Sequence, residues 1–93
     1  MTGIGLNHKI RNNPIILATD VDGEVVMMDA ERGAYYGLNA IGSDIWNRLS
    51  EPMEVADLCR DLALAYDAPA EQIQAETLEL LSLLAEKNLV VME

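Results

Sequence analysis

Phenylalanine is absent from this 93-residue chain, and cysteine, histidine and tryptophan occur once each. One cysteine closes no internal disulfide, which fits a reducing compartment. One cysteine with one histidine falls short of the four ligands of a tetrahedral metal site. Positive charge is scarce: six Lys and Arg stand against sixteen Asp and Glu, net −10 at neutral pH. Phosphate affinity comes from clustered Lys and Arg, so nucleic acid and an anionic membrane surface are disfavoured as partners. A neutral or basic peptide is allowed. Long apolar runs are missing too. The longest, Leu62 to Tyr66, has five residues, where a membrane helix needs roughly 20. The first fifteen residues interleave Asn7, His8, Lys9, Arg11, Asn12 and Asn13 with isolated Ile and Leu, unlike the apolar stretch of a signal peptide. The expected location is the cytoplasm.

Chemistry is equally thin. Cys59 falls on an apolar helical stripe and reads as a small buried hydrophobe. His8 is distant from it in sequence, so a nucleophilic Cys–His pair is not expected. No glycine-rich loop opens a helix; Gly3 and Gly5 sit in the N-terminal segment. The carboxylates Asp57, Asp61, Glu71, Glu76, Glu79 and Glu86 read as a solvated face, with a charge match to a basic partner as the functional option. The expectation is a protein with no catalytic residue, no metal site and no cofactor.

What is present divides by period. Ile15–Thr19, Glu24–Asp29 and Ala34–Leu38 read as three short strands. Asp22-Gly23 is the strongest hairpin signal, and Ala30–Gly33 supplies the second turn. Gly37 inside the third strand suggests a bulge or a close approach by another backbone. After Leu38 the period changes to that of a helix. The first helix is expected over Ala40–Leu49, with Asn39 as N-cap and Ile41, Ile45, Trp46 and Leu49 as its stripe. The second spans Glu54–Tyr66, with Val55, Leu58, Cys59, Leu62 and Tyr66 on one face. The third spans Ala70–Lys87, started near Pro69 and stopped at Asn88. Leu89–Met92 follows as a short extended tail. Ile4, Leu6, His8 and Ile10 alternate weakly, leaving residues 1–14 open as a fourth strand, an arm exchanged between subunits in a homodimer, or a frayed terminus. Residues 15–93 form one α+β domain, a three-stranded antiparallel meander followed by three helices.

Two features exceed what a plain domain needs. On the third helix Ile73, Thr77, Leu80, Leu81 and Leu84 already fill about 100° of arc. Leu78 and Ala85 lie outside that stripe on one flank and Leu83 on the other. The third strand is a sheet edge that no charge, Pro or Lys protects. Such an edge beside an apolar helix suits an extended peptide that adds a strand and sends alternate side chains into a strand–helix groove.

The stretches Asp22-Gly23-Glu24-Val25-Val26-Met27-Met28-Asp29, Gly33-Ala34-Tyr35-Tyr36-Gly37-Leu38-Asn39 and Gly42-Ser43-Asp44-Ile45-Trp46 resemble the PqqD-like family. These are precursor-peptide recognition elements of ribosomal peptide biosynthesis. The likeness continues through Val55-Ala56-Asp57-Leu58, Ala65-Tyr66-Asp67, Leu81, Leu84 and Asn88-Leu89-Val90, and so covers about residues 15–91. Asn88 stands where the family usually has Gly. The resemblance implies a winged helix-turn-helix-like domain that binds a precursor's leader peptide as a further antiparallel strand. The implied contacts are Ala34, Tyr35, Tyr36, Gly37 and Leu38 on the strand, with Gln74, Leu78, Leu81 and Ala85 on the helix. The Tyr-Tyr-Gly-Leu-Asn and Gly-Ser-Asp-Ile-Trp wording looks most like the stand-alone recognition proteins of lasso-peptide clusters. That implies, as partners, a leader peptidase of cysteine-protease type and a macrolactam cyclase. The alternatives are a carrier of the quinone-cofactor pathway serving a radical SAM enzyme, and, in a different class, a winged-helix transcriptional or oligomerisation module. Residues 39–93 carry three basic and eleven acidic residues, net −8, which weighs against the transcriptional reading.

Overall fold

The structure is a computed structural model that describes residues 4–93. The described residues form six strands and three helices: β1 Lys9–Asn12, β2 Leu17–Val21, β3 Glu24–Asp29, β4 Ala34–Gly37, α1 Ala40–Arg48, β5 Met53–Glu54, α2 Val55–Tyr66, α3 Ala70–Glu86 and β6 Val90–Met92. The α+β class holds, and the meander then three helices appear in the expected order. The strands divide into two antiparallel sheets, however, ordered β2-β3-β4 and β5-β1-β6.

The meander is set by its turns. Asp22 and Gly23 both take positive φ, 55° and 85°, as a two-residue type I′ hairpin requires. Val21 therefore opposes Glu24. This corrects the first strand, which runs to Val21 and starts two residues later than its apolar run suggests. Ile15 and Ile16 belong instead to a turn closed by Ile16 N–H donating to the Asn13 carbonyl at 3.1 Å. In the second turn the Asp29 carboxylate accepts from the Glu31 and Arg32 amides, at 3.1 and 3.3 Å, while Gly33 takes φ 66°. Those bonds explain why a carboxylate is tolerated at a buried position.

α1 is welded to this sheet. The Asn39 side chain accepts from Gly42 N–H at 2.8 Å as N-cap. One turn in, the buried Ser43 hydroxyl accepts from Val25 N–H at 2.7 Å and donates to the Leu38 carbonyl at 3.2 Å. Ile45, Trp46 and Leu49 enter the core; Ile41 does not, being 49% exposed. In α2 Val55, Leu58, Cys59 and Leu62 are buried. Tyr66 leaves that face and donates its hydroxyl to Asp44 at 2.6 Å. Asp67 takes φ 47° and Asn88 takes φ 58°, the left-handed conformation that ends helices and favours Gly or Asn.

The second sheet joins distant segments. β1 is its central strand, pairing Ile10 with Met53 on one side and with Met92 on the other. Ile10, Leu49, Leu58, Leu81 and Leu89 are fully buried in the common core. Of residues 1–14, positions 1–3 lie outside the described residues, and Lys9–Asn12 is the sheet strand just described.

Candidate peptide-binding edge

In an antiparallel ladder, hydrogen-bonded and non-bonded pairs alternate. Leu38 N–H donates to the Val25 carbonyl at 2.9 Å. Tyr36 with Met27, and Ala34 with Asp29, are therefore the bonded pairs of the β3–β4 register. It follows that Tyr35 and Gly37 turn their N–H and C=O groups away from β3. β4 is the last strand of its sheet, and among the described residues no other group bonds those amides. Two donors and two acceptors thus point outward along one rim, spaced to pair with an extended chain.

The register also sorts the side chains. Tyr36 and Leu38 share a face with Val25, Met27 and Asp29, which are buried, so this face looks into the molecule. Tyr36 and Leu38 are half-buried against the core. Tyr35 and Gly37 share the opposite, outer face with Leu17, Thr19, Val26 and Met28. Tyr35 is 71% exposed and Leu17 58%. Gly37 makes no bulge, and a Cβ placed on it would meet nothing within 4 Å. Among the described residues neither the bulge nor the close contact expected there is present.

At the C-terminal cap of α3, Lys87 places its ammonium 5.3 Å from the centre of the Tyr36 ring, a cation–π contact. At about 100° per residue, Ile73, Leu80 and Leu83 lie within about 40° of Lys87 around the helix. Gln74, Leu78 and Ala85 lie about 140–180° away. Gln74 lines a different groove of about 300 Å³, between α2 and α3, with Leu6, Cys59, Ala63 and Leu64. Leu78 and Ala85 are half-buried against the core, and Leu81 is fully buried. The structure therefore brings Ala34 to Leu38 together along one rim but does not bring Gln74 beside it. Lys87 was not singled out by pattern. A helical wheel gives the width of an apolar arc but not which neighbour each flank meets.

The titrating groups lie elsewhere. Burial acts to raise the Asp44 carboxyl, but the Tyr66 hydroxyl and the Arg48 guanidinium outweigh it and hold the group below its ordinary 3.8. Arg48 contacts Asp44 at 2.9 Å. The same hydrogen bond from its hydroxyl to Asp44 pushes Tyr66 up. Burial pushes the Cys59 thiol up, against a weaker opposing bond with Thr77. His8 is exposed, its Nδ1 accepting from Gly5 N–H at 3.0 Å. Among the described residues no three His, Cys, Asp or Glu side chains converge as metal ligands, and no helix is long and apolar enough to cross a membrane.

Three comparisons bear on this geometry. The family described as coenzyme PQQ synthesis protein D (PqqD) matches residues 24–90. A solved structure of TbiB1 in complex with the TbiA(beta) leader peptide superposes with a TM-score of 0.80 and 26% sequence identity, covering 86% of this chain and 93% of that one. No curated protein matches.

Proposed function

The chain belongs to the PqqD family, and from that premise we propose that it is a non-catalytic cytoplasmic adaptor for the leader peptide of a ribosomally made precursor. The observation that carries the proposal is the β4 rim at Tyr35 and Gly37, unpaired among the described residues, in a fold that superposes on a protein solved with a leader peptide. The leader pairs along Ala34–Leu38 as an added antiparallel strand, its alternate side chains turned inward beside Tyr36 and Leu38. We place the helical wall of that groove on Ile73, Leu80 and Leu83, the face of α3 that leads into Lys87, whose ammonium reaches Tyr36 just past the helix end. In this placement Gln74, Leu78 and Ala85, three of the helix residues suggested by resemblance, lie about 140–180° round α3 from Lys87. Leu81 supports the helix from beneath.

The chemistry such a protein performs is positional. A leader is disordered alone, and fixing each backbone residue costs about 1–2 kcal/mol. Backbone bonds along the rim and apolar burial against Tyr36 and Leu38 offset that cost. Once held, the cleavage region experiences an effective concentration near millimolar at a co-bound enzyme. The Tyr35-Tyr36-Gly37-Leu38-Asn39 and Gly42-Ser43-Asp44-Ile45-Trp46 segments favour a lasso-peptide pathway. The enzymes served are then a leader peptidase of cysteine-protease type and a macrolactam cyclase. A second reading, a carrier that presents its peptide to a radical SAM enzyme, is favoured by the description of the matched family.

Isothermal titration with a synthetic peptide of the N-terminal half of the small open reading frame beside its gene tests the adaptor role. Saturable one-to-one binding is expected. Absence of binding at tens of micromolar overturns the proposal. Co-purification with a small peptidase, or with a radical enzyme, separates the two pathways.

A further inference from the structure

The rim has a second side. On the outer face of the meander the residues form rows across the strands: Thr19, Val26 and Gly37 in one, Leu17, Met28 and Tyr35 in the next. This face is apolar yet uncovered, with Leu17 58% and Val21 53% exposed. A shallow cavity of about 240 Å³ opens in it, lined by Leu17, Thr19, Val26, Met28 and Tyr35 together with parts of Ala18 and Met27. Gly37 stands at the end of the Thr19–Val26 row and carries no side chain to close it. The space above it is empty.

An added strand must form its bonded pairs with Tyr35 and Gly37, because these residues alone on β4 turn their amides outward. Residues opposite each other in a sheet share a face. The peptide residue paired with Gly37 therefore sends its side chain onto the outer face, not towards α3. Strands lie about 4.8 Å apart, so Val26 is about 9.6 Å from that residue, with only a glycine between. Small side chains stop short above Gly37. Aromatic side chains reach diagonal neighbours roughly 7–8 Å away, so a ring covers the glycine, meets the flank of Tyr35 and points along the row towards Val26. The apolar lining favours an aromatic ring over a charged chain of equal length.

We propose that Gly37 is a specificity determinant, a notch through which an aromatic side chain of the bound peptide enters the outer cavity of the meander. The inference rests on the adaptor reading. It adds that the peptide is gripped on both faces of the sheet, by inward residues beside Tyr36 and by one outward aromatic over Gly37. The glycine thus serves the occupant, not the backbone: its φ is ordinary and no described residue crowds it.

That makes the test clean. Gly37→Val places a β-branched side chain in empty space at a strand position, where it fits the free protein and favours extended backbone. The outward amides that pair with a peptide are untouched. Binding of overlapping synthetic peptides from the adjacent small open reading frame is measured by fluorescence anisotropy for wild type, Gly37→Ala and Gly37→Val, with circular dichroism as the folding check. The expected result is a tenfold or greater loss for Val and an intermediate loss for Ala, with melting unchanged or raised. One aromatic-to-alanine change in the peptide should weaken wild type by a similar factor and leave the Val variant unaffected. Wild-type binding that Gly37→Val retains within twofold overturns the notch while leaving the adaptor intact. Should wild type bind none of the peptides, the adaptor reading itself fails.

Discussion

Replacing Ser43 by Ala probes the joint that holds the β3–β4 hairpin to the helices. The Ser43 hydroxyl sits between Val25 and Leu38, accepting from one backbone and donating to the other, at 2.7 and 3.2 Å. The side chain is 2% exposed, so water cannot take over either role. Alanine leaves an orphaned amide and an under-satisfied carbonyl, each costing about 1–3 kcal/mol. Direct closure of Val25 N–H onto the Leu38 carbonyl is opposed by the tether at the next residue, where Asn39 caps α1 and its carbonyl takes Ser43 N–H at 2.8 Å. A carbonyl tolerates lost bonding better than an amide, so the low end of the range applies, about 2 kcal/mol in all. For a domain of this size that is a fall in melting temperature of about 8–16 °C. Urea unfolding followed through the buried Trp46 measures it, with exposed Ser50→Ala as the control. A change below about 0.5 kcal/mol at unchanged m-value would show that β4 and α1 close over the gap unaided.

Three further outcomes follow. Tyr35→Pro removes an outward amide without touching the β3–β4 ladder, a position where edge strands accept proline; titration should show at least tenfold weaker peptide binding, with little change in melting. Asp44 has its pKa depressed by Tyr66 and Arg48, so its share of stability is present above the ordinary 3.8 and is lost as pH falls through the lower folded value. Tyr66 is raised, so its share is present below 10.0 and is lost as pH rises through the higher folded value. The stability gap between wild type and Tyr66→Phe should therefore be flat from about pH 4 to 10 and close at both ends in pH-dependent melting. Cys59, buried with a raised pKa, should label with a thiol reagent only as fast as the α2–α3 contact opens; labelling at the rate of a free thiol would contradict its placement.

The sequence was most informative where a local rule sufficed. Asp22-Gly23 demands its hairpin, Asn39 its cap and Asn88 its stop, and each took the conformation its side chain favours. Trp46 and Cys59 read as core and are core. Periodicity misled at the margins of stripes, where Ile41 and Tyr66 turned outward, the latter because Asp44 offers its hydroxyl a partner. The second sheet was hidden for a different reason. β5 is two residues long and β6 three, too short for any alternation to register, and both owe their existence to β1. At the candidate site, the unprotected rim from Ala34 to Leu38 could be seen in the residues. Lys87 over Tyr36 could not, since only the folded path brings a helix end to a distant strand. The role of Gly37 was half visible: a glycine in a strand asks for a reason, but only the register shows which face it leaves open.

The central place of β1 has a consequence for how the molecule comes into being. Residues 17–48 hold the meander and α1, whose contacts are made between near neighbours, and can organise while the remainder is still on the ribosome. Ile10 must wait. Its second partner strand ends at Met92, so Ile10 lacks one of its two neighbours until β6 has been made. Closing that long loop is the slow step the topology builds in, and holdase chaperones would find their target in the β1 segment, not in the β2–β3–β4 meander.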